Sequence, residues 1–417
     1  MNNNVIKTSA VDMECILNRE YVPMEGGPVF LAIVIRPNAH LDYANMPLHV
    51  CLCIDNSFSM CGDKLENAKM SAINIINALS RNDLVSIVVF NDEIDTLASG
   101  EFVTSSVWTT LQSKISNISC TGLTDLYGGV NEAYTQIKKS AVSDDKTYIK
   151  RIILLSDGQP TTQPNTPEEF KSFGKEMREK YDVSVTTVGI GGDYNEDLLM
   201  ALAEGSGGQW IHAKSPEDIR NIFQNELKRM SKVMDANPKL IINMSKGMEI
   251  GKIYKARPQL HKVDDSEIVD NKLIIHLNDV EEGIKQEISA RLHLPKRPAG
   301  KYRIAKVEYV GKKSNLSKEV FIEYTSDKRL YSEENNAYPR GLFMTVLASD
   351  TFIGGDIDKA TKIATSLKND KNTRIFPELN KHMTGILEKS TIIGTSTDRE
   401  TIIRAKEGAT IIDKKRE

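Results

Sequence analysis

Between Val50 and His212 the chain repeats one alternation, a short apolar run followed by a stretch of helical periodicity. The apolar runs are Val50–Ile54, Leu84–Phe90 ("LVSIVVF"), Tyr148–Leu155 ("YIKRIILL"), Val183–Ile190 ("VSVTTVGI") and Gln209–His212. After the first, "KLENAKMSAINIINALS" sets Leu65, Ala68, Ala72, Ile75, Ile76 and Leu79 at helical spacing. Helical patterns also cover Tyr127–Lys138, Pro167–Lys180, Glu196–Glu204 and Pro216–Met234. Strands apolar at nearly every position need cover on both faces, and helical crossovers between them impose parallel pairing. The pattern predicts an α/β, Rossmann-like domain with a mostly parallel central sheet over 46–236.

The texture changes after about Asn237. "KLIINMSKG", "NKLIIHLND", "QEISARLHLP", "KYRIAKVEYV" and "EVFIEYT" are short, β-rich and separated by turn residues, which predicts an antiparallel sandwich over 237–326. "DMECILNREYV" and "VFLAIVIRPN" read the same way, so residues 1–45 are expected to supply the first strands of that sandwich. The α/β domain would then be inserted in the β-domain. Helical patterns return over 327–389 as a C-terminal helical bundle, and a Ser/Thr-rich tail follows over 390–417.

A chain of 417 residues accommodates roughly two to three domains. Its formal net charge of -3 argues against a nucleic-acid partner, because no excess of Lys and Arg is present to neutralise phosphates. No apolar stretch approaches the ~20 residues that span a bilayer. The N-terminus lacks the basic start and apolar run of a secretory signal. Cys51 and Cys53 alternate within one strand, and no CxxC pair suggests zinc. These features lead to an expectation of a cytoplasmic protein, not associated with a membrane, whose five cysteines are reduced and mostly buried.

The first apolar run leaves through "CIDNSFSMCG", with oxygen-bearing side chains at alternate positions: Asp55, Ser57 and Ser59. In a parallel sheet, ligands bind at the carboxyl edge, where this segment emerges. "RIILLSDGQPT" ends its strand in Asp157, and "CTGLTDLYGGV" offers Thr124 in a loop opening a helix, with Thr121 as its rival. Two carboxylates and three hydroxyls suit a hard divalent cation such as magnesium. A set without His or Cys disfavours zinc and copper. The alternative is that Ser57 or Ser59 caps the following helix, that Asp157 opens a turn, and that either Thr caps its own helix.

"DNSFSM" with "GDKLENAK", the loop "GLTDLYGGV" and the strand end "ILLSDGQPT" resemble the von Willebrand factor A domain over roughly residues 45–230. They follow the order of its metal-ion-dependent adhesion site, Asp-x-Ser-x-Ser, then Thr, then Asp. The resemblance implies that Ser57, Ser59 and Thr124 contact Mg2+ (or Mn2+) while Asp55 and Asp157 hold it directly or through water. It leaves one position for an acidic side chain of a protein partner. Phe58 departs from the Gly common at its position, which bears on the shape of the loop. The function so implied is a non-enzymatic, metal-dependent interaction module acting as a signalling or regulatory adaptor. The alternatives are an adaptor subunit of an ATP-driven chelatase or remodelling machine, and a metal-dependent hydrolase.

An enzyme finds little support in the residues. Position 57 is Ser where aspartyl phosphatases need a second Asp, no GxxxxGK[ST] occurs, and none of the seven His lies in these motifs. In the tail, Thr410 precedes Asp413 by three residues, and Thr395 and Thr397 precede Asp398 and Glu400 likewise. Phosphothreonine in such a setting resembles what forkhead-associated domains bind. The architecture as a whole resembles prokaryotic, including archaeal, proteins of kinase and forkhead-associated signalling modules. This leads to an expectation of phosphorylation by a Ser/Thr kinase, set against a simply solvated tail.

Overall fold

The computed structural model describes residues 9–38, 46–145, 147–157, 159–191, 194–213, 215, 217–263, 268–372 and 375–395, together with Ala405 and Ala409. The chain divides into two compact units, Met1–Tyr43 with Met234–Glu417, and Ala44–Val233. In chain order the second is inserted in the first.

Ahead of the insertion lie β1 (Val11–Leu17), β2 (Tyr21–Pro23) and β3 (Gly27–Pro37). The inserted unit then runs β4 (Leu48–Asp55), α1 (Asp63–Ala78), β5 (Leu84–Phe90), β6 (Ile94–Phe102), α2 (Ser105–Ser116), α3 (Leu126–Lys139) and β7 (Ile149–Ser156). It continues with α4 (Pro167–Tyr181), β8 (Val183–Ile190), α5 (Glu196–Ser206), β9 (Trp210–Ala213) and α6 (Asp218–Met230). Its sheet has the order β6-β5-β4-β7-β8-β9. All neighbours are parallel except β5 and β6. Strands β4, β5, β7 and β8 are buried at every position, as their unbroken apolar runs require.

In this unit β6 and α2 lay outside the sequence pattern. β6 is an edge strand that buries only Ala98, and α2 buries only Leu111 and Ile115, so neither carries a strong apolar signal. The helix expected over Pro216–Met234 ends at Met230, and Val233–Asp235 forms a strand instead. The chain crosses from β4 to β5 on one side and reaches β7 on the other, so the order reverses at β4. A crevice at the carboxyl ends of β4 and β7 follows from that reversal.

The enclosing unit resumes with β10 (Val233–Asp235), β11 (Lys239–Met244), β12 (Glu249–Arg257), β13 (His261–Lys262), β14 (Ile268–Val269), β15 (Lys272–His276) and β16 (Val280–Glu281). Strands β17 (Gln286–Leu294), β18 (Gly300–Val310) and β19 (Asn315–Thr325) complete it. One sheet has the order β1-β3-β17-β12-β13 and the other β14-β15-β11-β18-β19-β2. Val29, Leu31, Ile33 and Ile35 of β3 share one core with Leu240, Ile242, Ile288, Val307 and Tyr309. The expected sandwich is therefore built from both sides of the insertion.

Helices α7 (Lys328–Tyr331), α8 (Tyr338–Ile353), α9 (Ile357–Asn369) and α10 (Pro377–Thr395) close the chain. Leu342, Phe343 and Val346 of α8 pack with Ala32, Tyr254 and Ala256 of the sheet. Buried Arg257 pairs with Glu287 at 2.9 Å and with Glu378 of α10 at 3.1 Å, while the Tyr338 hydroxyl donates to both carboxylates. Helix α10 continues past the expected tail boundary at 390, and Ala405 and Ala409 are buried with Phe352, Ala364 and Ile386. Among the described residues, no helix is long and apolar enough to cross a membrane. Thr397 and Thr410 lie outside the described residues, and Thr395 is described only as the last residue of α10.

Candidate metal centre

Strand β4 ends at Asp55, whose neighbour across the sheet is the end of β7. The register pairs Ile54 with Leu155, which brings Asp55 beside Ser156 and Asp157. The Asp55 carboxylate accepts from the Ser57 amide at 2.9 Å through Oδ1 and from the Ser156 hydroxyl at 2.6 Å through Oδ2. The first bond turns the chain so that Ser57 faces back toward the strand end. The Ser57 and Ser59 hydroxyl oxygens are 3.1 Å apart, and Ser59 Oγ donates to Asp157 Oδ1 at 2.7 Å. Four of the five expected residues, Asp55, Ser57, Ser59 and Asp157, thus form one hydrogen-bonded set. Lys64, in the first turn of α1, hydrogen-bonds through its ammonium to Asp157 Oδ2 and to the Ser59 carbonyl.

The capping alternative for the serines does not hold. Helix α1 has Gly62 as its N-cap with no side-chain capping bond, and Ser57 makes none to the 3-10 turn Phe58–Met60. Helix α3 is capped by Asp125, which accepts from the Gly128 amide at 3.0 Å. Neither Thr121 nor Thr124 serves that role. Thr121 is exposed, whereas Thr124 is buried and its carbonyl accepts from the Thr161 amide and hydroxyl at 2.9 and 3.1 Å. The loop that carries Thr124 is tied to the loop that carries the serines. The Thr121 amide donates to the Asn56 carbonyl at 2.9 Å, the Phe58 amide to the Gly122 carbonyl at 3.2 Å, and Asn56 Nδ2 to the Ser119 carbonyl at 2.8 Å.

A covalent link fastens the same two loops. Cys61 and Cys120 form a disulfide, which corrects the expectation that all cysteines are reduced. Cys51 and Cys53 of β4 are free and buried, as the strand pattern predicted, and Cys15 is the third free thiol. Other contributors also escaped the motif reading. Asn91 Nδ2 bonds to Asn56 Oδ1 at 3.2 Å, and Thr162 donates to Asp125 at 2.6 Å. Asn56 and Asn91 each directly follow a strand, at Asp55-Asn56 and Phe90-Asn91. That was the one available signal for them.

Burial pushes the Asp55 carboxyl up to about 6, an effect opposed by the hydrogen bonds from Ser156 and Ser57 and reinforced by the charge of Asp157. A carboxylate at 0% exposure gains most from a cation that replaces its lost hydration. Among the described residues, no group of three or more His, Cys, Asp or Glu stands ready for a metal. The side chains brought together here are two carboxylates and two hydroxyls, Asp55, Asp157, Ser57 and Ser59, and their oxygen chemistry fits a hard cation keeping part of its water. The Lys64 ammonium places one positive charge against Asp157.

Among the described residues, no histidine meets a hydroxyl at this crevice. His49 Nε2 lies 3.0 Å from Ser86 Oγ, but both residues are fully buried in the sheet.

Residues 49–225 match the family model of the von Willebrand factor type A domain. An uncharacterized protein of Synechocystis sp. is 25% identical over 215 residues, which cover 52% of this chain and 49% of that protein. An uncharacterized protein of Escherichia coli is 25% identical over 179 residues, 30% of its length, so the chain spans half or less of these relatives. Among solved structures, a von Willebrand factor type A protein from Catenulispora acidiphila superposes with a TM-score of 0.75 at 15% identity, covering 99% of this chain and 98% of that one. The ArnB paralog VWA2 from Sulfolobus acidocaldarius gives 0.61 at 18% identity, covering 96% and 97%. At these identities the two structures establish the fold.

Proposed function

We propose that this chain, which carries a von Willebrand factor type A domain over residues 49–225, is a metal-dependent protein-interaction module and not an enzyme. In this reading Asp55, Ser57, Ser59, Thr124 and Asp157 hold one Mg2+ or Mn2+ ion. When bound, the ion supplies an open coordination position for a partner's carboxylate. The protein's own residues orient that encounter. The turn fixed by Asp55 aims Ser57 and Ser59, Asp157 is held by Ser59 and Lys64, and the loop bonds hold Thr124 alongside. The observation that carries the reading is the continuous set from Asp55 to Asp157, linked by the Ser57 amide and by the Ser57 and Ser59 hydroxyls, which cap no helix.

The signalling branch assigns the module to a regulatory adaptor, with phosphorylation of Thr410, Thr395 or Thr397 by a Ser/Thr kinase and recognition by a forkhead-associated domain. A ring ATPase partner would place it in a chelatase or remodelling machine instead. Affinity purification in magnesium and in chelator tests both: a partner retained only with metal supports the module, and its class selects the branch. Turnover of a phosphate or ester substrate that vanishes in Asp55→Ala would establish a hydrolase. The cytoplasmic placement stands as a proposal against which the Cys61–Cys120 bond weighs, because structural disulfides persist in oxidising surroundings. Alkylation of protein taken directly from cells decides that point.

A further inference from the structure

Two large apolar side chains stand exposed on the rim of the candidate metal centre. Phe58 is 65% exposed and separates Ser57 from Ser59, and Leu123 is 58% exposed and precedes Thr124. Single exposed apolar residues are ordinary on protein surfaces. These two sit on loops joined to each other by the Phe58 amide to Gly122 carbonyl bond and by the Cys61–Cys120 disulfide. Leu123 is further fixed by its own amide, which donates to Asp92 Oδ1 at 2.9 Å. Gly122 is required beside it, with φ at +72 and Asp92 Oδ1 only 1.7 Å from where a Cβ would stand. The rim is therefore preorganised, and a ligand that covers it loses little freedom in ordering it.

Charge selects what covers it. Asp55 and Asp157 balance a divalent ion, and the Lys64 ammonium on Asp157 leaves one positive charge over. We infer that Phe58 and Leu123 form an apolar lip specifying a partner segment in which a single Asp or Glu is flanked by large aliphatic side chains. The inference rests on the metal-dependent reading above: the carboxylate meets the ion, and its neighbours cover Phe58 and Leu123. A polar acidic segment would leave both apolar side chains wet.

Two blocked synthetic peptides test this, Gly-Gly-Leu-Asp-Leu-Gly-Gly and Gly-Gly-Ser-Asp-Ser-Gly-Gly, titrated by NMR into the full chain in magnesium and in EDTA. The leucine peptide is expected to bind about tenfold tighter in magnesium, from partial burial of two side chains. That preference should disappear in Phe58→Ser and Leu123→Ser, with calorimetric magnesium affinity unchanged in both variants. Equal binding of the two peptides, or a preference that survives in both variants, overturns the lip while leaving the metal reading intact. So does failure of both peptides to bind a chain that takes up magnesium. Leucine-peptide binding that persists in EDTA overturns the joint recognition of carboxylate and apolar flank. A chain that binds no magnesium in calorimetry removes the metal reading and this inference together.

Discussion

Cys61 is bonded to Cys120 across 59 residues of chain, and the bond ties the loop carrying Ser57 and Ser59 to the loop leading to Thr124. Closing a loop of that length restricts the unfolded chain by about 4 kcal/mol in the chain-entropy account. The double variant Cys61→Ser/Cys120→Ser should lose stability of that order in urea unfolding. Calorimetry should also show weaker magnesium binding, because Thr124 is then fastened to the serine loop by hydrogen bonds alone. Unchanged magnesium affinity would show that those bonds suffice to position Thr124.

Lys64 shares Asp157 with any bound cation. A dication and an ammonium ~5 Å apart repel by ~1–2 kcal/mol even at a water-like dielectric. Lys64→Met should therefore tighten magnesium binding about tenfold. A weaker affinity in that variant would show that Lys64 supports the geometry of Asp157 more than it competes for its charge.

β3 lies between β1 and β17 and pairs with β17 over nine positions, Gln286–Leu294. Val29, Leu31, Ile33 and Ile35 enter the sandwich core from it. At ~1.5–3 kcal/mol per buried side chain, removing them costs as much as a domain's whole stability of ~5–15 kcal/mol. A chain beginning at Met46 should lose the sandwich's β-signal in circular dichroism and aggregate. A soluble product with the sandwich unfolding at its original temperature would show that residues 237–326 fold without β1–β3.

His49 is held neutral. Burial, and then the charge of Lys150 on the neighbouring strand, depress it to about 4. The unfolded chain takes up the proton near pH 6.5, so the stability due to the neutral ring is complete above that pH and is lost as pH falls toward 4. At about 1.4 kcal/mol per pKa unit, the loss is on the order of 3 kcal/mol. His49→Gln should flatten the stability profile between pH 6.5 and 4, and the difference between the two profiles removes the parallel contribution of His382, which is depressed to about 3. Parallel profiles for the two proteins would exclude His49 as the titrating group.

Much of this architecture was legible in the sequence, for a physical reason. β4, β5, β7 and β8 are covered on both faces, so their apolar runs are continuous and their type is plain. β6 escaped because an edge strand with solvent on most of its side chains needs no such run. Asp55, Ser57, Ser59 and Asp157 could be read as a group because their oxygen chemistry recurs at strand ends, where a parallel sheet exposes its ligands. What closes the site was not legible. Cys61 and Cys120 share no local spacing signal, and the contact of Lys64 with Asp157 spans 93 residues that only the β4–β7 pairing brings together.

Calorimetry of the metal-stripped chain against magnesium and manganese tests the central claim most directly, with Asp55→Ala and Ser59→Ala as partners. One ion is predicted to bind per chain, with binding lost in Asp55→Ala and at least tenfold weaker in Ser59→Ala, and with a metal-dependent rise in unfolding temperature that is largest in the unaltered protein, smaller in Ser59→Ala and absent in Asp55→Ala. No heat of binding in the unaltered chain, or identical isotherms in all three proteins, would contradict it.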